Sequence, residues 1–80
     1  MNVKDAVVNR FLELCTEKNI TINALANLSG VTPSTVYSML DERRRDVSIV
    51  LIKKLCDGLE ITLSDFFSTI NFDTLEQELK

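Results

Sequence analysis

Residues Thr21 to Leu40 read TINALANLSGVTPSTVYSML, two short helical segments set around one glycine. Thr21 is placed to cap the first segment through its hydroxyl, and Leu25, Ala26 and Leu28 then supply an apolar face at helical spacing. Gly30 stops that segment, because glycine takes the left-handed conformation that ends a helix in one residue, and Val31 then drops back between the two helices. Thr32 caps the second segment. Pro33 follows at the first helical position, where its missing N–H costs nothing, and Val36, Met39 and Leu40 turn inward. Pro33, Ser34, Tyr37 and Ser38 are left facing outward. A short helix that shows solvent a row of small polar groups and one tyrosine, held at a fixed angle by its neighbour, has the shape that enters a DNA major groove.

Working outward, residues 3 to 18 predict a first helix in which Val3, Val7, Phe11, Leu14 and Cys15 recur on one face. Lys4, Asp5, Glu13 and Glu17 are expected on its wet side, and Arg10 reads as a solvated surface charge, with a phosphate contact as the alternative. Ser48 is placed to cap a fourth helix carrying Ile49, Ile52, Leu55, Cys56 and Leu59 inward and Lys53 and Lys54 outward. Thr62 with Asp65 has capping-box spacing and opens a fifth helix with Leu63, Phe66 and Phe67. Ile70, Phe72, Leu75 and Leu79 continue the apolar rhythm, with Asp73 and Glu76 placed to cap a last short helix. So many apolar side chains exceed what a terminus of so small a domain can cover, and packing against a second copy of the chain is expected. The competing arrangement folds Phe72 and Leu75 back on Leu59, Leu63 and Phe66.

Leu25-Ala26, Gly30-Val31, Ser34-Thr35-Val36, Ile52-Lys53-Lys54-Leu55-Cys56 and Leu63-Ser64-Asp65-Phe66-Phe67 together resemble the Cro/C1-type (XRE) helix-turn-helix family of bacterial and phage transcription regulators. The resemblance implies an all-α fold: a compact five-helix, lambda repressor-like DNA-binding domain over residues 1–68, with a short C-terminal helical extension over 69–80. It implies double-stranded DNA as the partner, a repressor's role, and a reading helix at 33–41. On this view Thr32, Pro33, Ser34, Thr35, Tyr37 and Ser38 meet the DNA groove. Relatives often open the preceding helix with a Gln that meets a phosphate; Ile22 stands there, and Asn23 is the nearest polar substitute. Where relatives often have Gly beyond the fourth helix stands Glu60, and a left-handed stop kept there strains a non-Gly residue by roughly 1 kcal/mol. Glu42 likewise replaces a frequent Gly, and Cys15 and Leu40 stand where many relatives bury an Arg–Glu pair.

Asp41-Glu42-Arg43-Arg44-Arg45-Asp46 is the only dense charge cluster. By itself it is a solvated loop between helices. Directly after a reading helix, however, Arg43, Arg44 and Arg45 suit the sugar-phosphate backbone, for which the planar guanidinium fork is well shaped. The net charge of −3 runs against nucleic acid, but it is unevenly placed: residues 1–56 hold eight basic and six acidic residues and residues 57–80 one basic and six acidic. A modestly positive reading face predicts weak, salt-sensitive binding by a monomer, and a homodimer with reading helices about 34 Å apart would strengthen it.

Eighty residues with 45% apolar content supply one small core. The N-terminus MNVKDAVVNR lacks the pattern of a secretory signal and no stretch approaches a membrane span, so a cytoplasmic protein is expected. Cys15 and Cys56 lie on the apolar stripes of their helices and read as buried free thiols; with no His they are too few to hold zinc, and no metal or cofactor is expected. Catalytic residues are not expected either, since the chain shows no His, no glycine-rich phosphate loop and no carboxylate pair in a cleft. No small-molecule site is evident. The rival reading is a protein-binding module on the same fold, antirepressor- or antitoxin-like, that uses the apolar tail and tolerates the acidic balance.

Overall fold

Helix starts are written into this chain by side chains that satisfy the first free backbone N–H groups. Asn2 accepts from Asp5 N, Thr21 from Ala24 N, Thr32 from Thr35 N, Ser48 from Val50 N and Leu51 N, and Thr62 from Asp65 N. The computed structural model of the protein describes residues 2–78. Six helices follow in order: α1 (Val3–Lys18), α2 (Ile22–Ser29), α3 (Pro33–Leu40), α4 (Ile49–Gly58), α5 (Leu63–Phe67) and α6 (Ile70–Asp73), with no strand among the described residues. None of these helices is long and apolar enough to cross a membrane.

The turn between α2 and α3 forms as its residues dictate. Gly30 is left-handed at φ 71°, and the Val31 N–H reaches back to Ala26 O at 3.1 Å, which draws Val31 against the core. Helix α3, expected over 33–41, ends at Leu40, with Asp41 as its cap. Phe11, Leu25, Val36, Leu55, Cys56 and Phe66 are completely or almost completely enclosed and tie α1 through α5 into one core. Helices α2 and α4 approach so closely that a Cβ on Gly58 would lie 3.0 Å from the Ser29 backbone and 2.2 Å from its hydroxyl. That approach leaves Ser29 Oγ buried without a hydrogen-bond partner among the described residues.

Several side-chain placements overturn expectation, among them Val3, which is exposed. Lys4 is only 5% exposed, and its Nζ donates to Asp41 O at 2.7 Å: it stands at the same three-to-four spacing as Val7, Phe11 and Leu14, which carries it under the fold. Leu28 is 60% exposed, because Leu25 and Ala26 fill the narrow face that α2 presents and Leu28 lies well round the helix from Ala26. Ile49 is 57% exposed, since the sides of α4 that meet the core are filled by Leu51, Ile52, Leu55 and Cys56, with Val47 packing just ahead of the helix. Arg10 is neither a solvated charge nor open to phosphate. Its Nε and NH2 donate to Phe66 O at 2.8 Å and Asp65 O at 2.9 Å, satisfying carbonyls at the end of α5, while NH1 pairs with Glu13 at 3.1 Å.

Following α5, α6 starts after Thr69 and stops at Asp73, so Asp73 and Glu76 do not open a helix. Phe72 packs on its own chain, with ring centroids 4.8 Å from Phe67 and 5.8 Å from Phe66, while Ile70 is 74% exposed and Leu75 half-buried. Glu78 then reaches the opening of α1 and accepts from Val3 N at 3.0 Å. Leu79, counted with this apolar rhythm, lies outside the described residues.

Beyond α4 the stop is kept by a non-glycine. Glu60 sits at φ 59° while Ile61 N bonds Cys56 O at 3.0 Å. Glu60→Gly should therefore be more stable than Glu60→Ala by about 1 kcal/mol, since both lose the carboxylate and only glycine relieves the left-handed strain. Urea unfolding of the two variants reads the difference, and equal stabilities would show that no strain resides there.

Candidate nucleic-acid interface

Helix α3 is held by its inward face and presents its outward one. Val36 and Met39 are buried, whereas Thr32, Ser34, Thr35 and Tyr37 are exposed, and Pro33 and Ser38 are half-buried. Thr32 Oγ1 accepts the Thr35 N–H at 3.3 Å and lies 3.1 Å from Ser34 Oγ and 2.9 Å from Thr35 Oγ1. Three hydroxyls thus gather at the start of the helix, able to donate or accept as a facing group requires. Tyr37, 54% exposed and one turn beyond Ser34, is the largest outward side chain of α3. Asn23 is exposed near the start of α2, next to Ile22, which packs against the core instead.

The arginine loop is organised by Asp41. Its carboxylate accepts from Arg43 N at 2.9 Å, Nε at 3.1 Å and NH2 at 2.8 Å, and its carbonyl accepts from Arg44 N at 3.0 Å. These hydrogen bonds from Arg43 hold the Asp41 carboxyl well below the usual carboxylate range, at about 2, and raise the Arg43 guanidinium in turn. The three arginines, alike in sequence, are therefore unlike in the fold. Arg43 already carries a compensating charge, while the exposed Arg44 and Arg45 side chains make no hydrogen bond or ion pair among the described residues.

A groove of about 280 Å³ joins the loop to α3. Thr35, Ser38 and Met39 line one side, and Arg44, Asp46, Val47, Ser48 and Leu51 the other. The fold thus brings Thr35, Ser38 and Arg44 together, while Asn23 stands apart on α2. Lys53 pairs with Asp57 on the outer side of α4, and Lys54 is exposed. Both thiols are buried and free: burial, helped by the neighbouring Asp57, pushes Cys56 up to about 11, and burial also raises Cys15, so neither is a reactive thiolate at neutral pH. The surface is one of exposed hydroxyls, a phenol and guanidinium groups, chemistry suited to recognising phosphates and base edges.

Lys4 was missed by sequence reasoning as a buried residue in contact with the Asp41 carbonyl. Its position on the Val7–Phe11–Leu14 stripe was the available signal, masked by the presumption that a lysine faces water.

Comparison with known proteins fits this geometry. The family model of the Cro/C1-type HTH DNA-binding domain matches residues 10–76. Among solved structures, prophage Lp1 protein 11 is 34% identical, with 94% of this chain and 100% of that chain covered and a TM-score of 0.82. The clp gene regulator ClgR from C. glutamicum is 21% identical, with 96% and 99% covered and a TM-score of 0.75, a likeness of fold. No curated protein sequence gives a significant match. Since the matched segment contains the whole of α2, α3, the arginine loop and α4, the chain belongs to the Cro/C1-type helix-turn-helix family of DNA-binding domains.

Proposed function

We propose that this chain is a sequence-specific transcriptional regulator, acting as a cytoplasmic repressor, that reads the major groove of double-stranded DNA with α3. The observation that carries the reading is the outward strip of Ser34 and Tyr37 on a helix anchored from behind, with Arg44 flanking it across the Ser38 groove. Bases are read by the strip and the helix start at Thr32, Pro33 and Thr35; phosphates are met by Arg43, Arg44 and Arg45, with Asn23 on the far side. Tyr37 can pack its ring on a thymine methyl while its hydroxyl reaches a base edge or phosphate. Titration of Tyr37→Ala against a duplex selected from a random pool should show a loss of about 1–3 kcal/mol, with less loss on random duplex. Equal losses on both would remove Tyr37 from specificity.

The arginines have a different expected signature. Replacing Arg43, Arg44 and Arg45 together by Ala should weaken binding to all sequences alike, and every phosphate no longer neutralised should flatten log affinity against log salt by about 0.9. An unchanged slope would leave the loop merely solvated. Absence of any salt-dependent binding by the unaltered chain would favour the protein-binding reading.

A homodimer completes the proposal. The extension over 69–80 presents Ile70 to solvent, although Phe72 already covers its own chain, and a two-fold arrangement would offset the modest charge of the reading face. Sedimentation of the full chain at tens of micromolar should show dimers. Monomers alone, with and without DNA, would assign the extension to its own core.

A further inference from the structure

Lys4 is the one buried charged residue among those described. An ammonium withdrawn from water is costly unless its protons find acceptors, and a Met of similar length would fill the same space without that cost. What the lysine adds is a donor. Its Nζ reaches Asp41 O at 2.7 Å, and Lys4 forms no ion pair among the described residues even though Asp5 and Glu42 line the same cleft with Val8, Asn9 and Leu40. The acceptor lies at the C-cap of α3, where the carbonyl end of a helix favours a cation.

Asp41 is also the residue that directs the arginine loop. The carbonyl that takes Lys4 also takes the Arg44 N–H at 3.0 Å, and its carboxylate holds Arg43 at three donors. One residue thus joins the first turn of α1, the end of the reading helix and the two arginines that follow. We propose that Lys4 is a positioning residue for DNA binding: by gripping the Asp41 carbonyl from beneath, it sets where α3 ends and the direction in which Arg43 and Arg44 leave it. This rests on the DNA-binding reading above. Lys4 acts through Asp41, its own ammonium being enclosed.

The test uses the full chain. Lys4→Met keeps the buried stem and removes the donor, Lys4→Arg keeps a donor and the charge, and Lys18→Met removes one positive charge from the exposed last turn of α1. Binding to selected and random duplexes is titrated across salt, and the Arg43 Nε–H and Arg44 N–H resonances are followed in the free protein. Lys4→Met should lose about tenfold on both duplexes and flatten the salt slope by about 0.9 for every phosphate no longer neutralised. Lys4→Arg should recover most of that loss, Lys18→Met should keep the slope, and both loop resonances should shift and exchange faster in Lys4→Met alone. A folded Lys4→Met with unaltered affinity and slope, or one no weaker than Lys18→Met, overturns the proposal. Should Lys4→Met not fold, relaxation of Arg43 and Arg44 in the unaltered chain decides, since a loop as mobile as a free terminus cannot be held through Asp41. If the unaltered chain binds no duplex, the DNA-binding reading fails by itself, and the loop resonances still report whether Lys4 fixes the loop.

Discussion

Burial of Val36 and Met39 holds the helix on which the rest of this structure depends. Eight residues are too few for a helix to persist alone in water, so α3 owes its existence and its angle to what it packs against. Both ends are also fastened: Thr32 accepts the Thr35 N–H, and Asp41 receives a donor from another helix. The outward face takes no part in the core. Ser34 and Tyr37 can vary without disturbing the core, which is the condition for one scaffold to present different surfaces.

Electrostatics in this molecule is local, and its net charge is a poor guide to it. The Asp41 carboxylate neutralises Arg43 while orienting it, and Lys53 is matched by Asp57, so the unmatched cations of the loop and α4 lie at Arg44, Arg45 and Lys54. Six of the twelve acidic residues fall in residues 57–80, against one of the nine basic ones. A charge count over the whole sequence averages these regions together and hides the difference.

The parts of the fold legible in the sequence are those governed by neighbours along the chain. Thr21, Thr32, Ser48 and Thr62 announce helix starts because a cap reaches only two or three residues, and Gly30 with Pro33 marks the turn for the same reason. The outward set on α3 follows from the period of its buried residues. What the sequence did not disclose depends on residues far apart. Lys4 meets Asp41, Arg10 meets the end of α5, and Ile49 is exposed where Ile52 is buried. Periodicity identifies a stripe but not how far along a helix the neighbouring layer extends. The same limit explains why Arg43, Arg44 and Arg45 read as equals until Asp41 is seen to choose one of them.

The polar ties of α1 bear on how the chain comes together. Val3, Lys4 and Arg10 are bonded to residues 75, 37 and 56 positions later. Closing loops of that length costs more chain entropy than forming the turn at Gly30, so these bonds reward only a polypeptide that has already gathered its later segments. Synthesis supplies these anchors one after another, Asp41 first, Phe66 next and Glu78 last, and together they fasten α1 to later segments as a clasp.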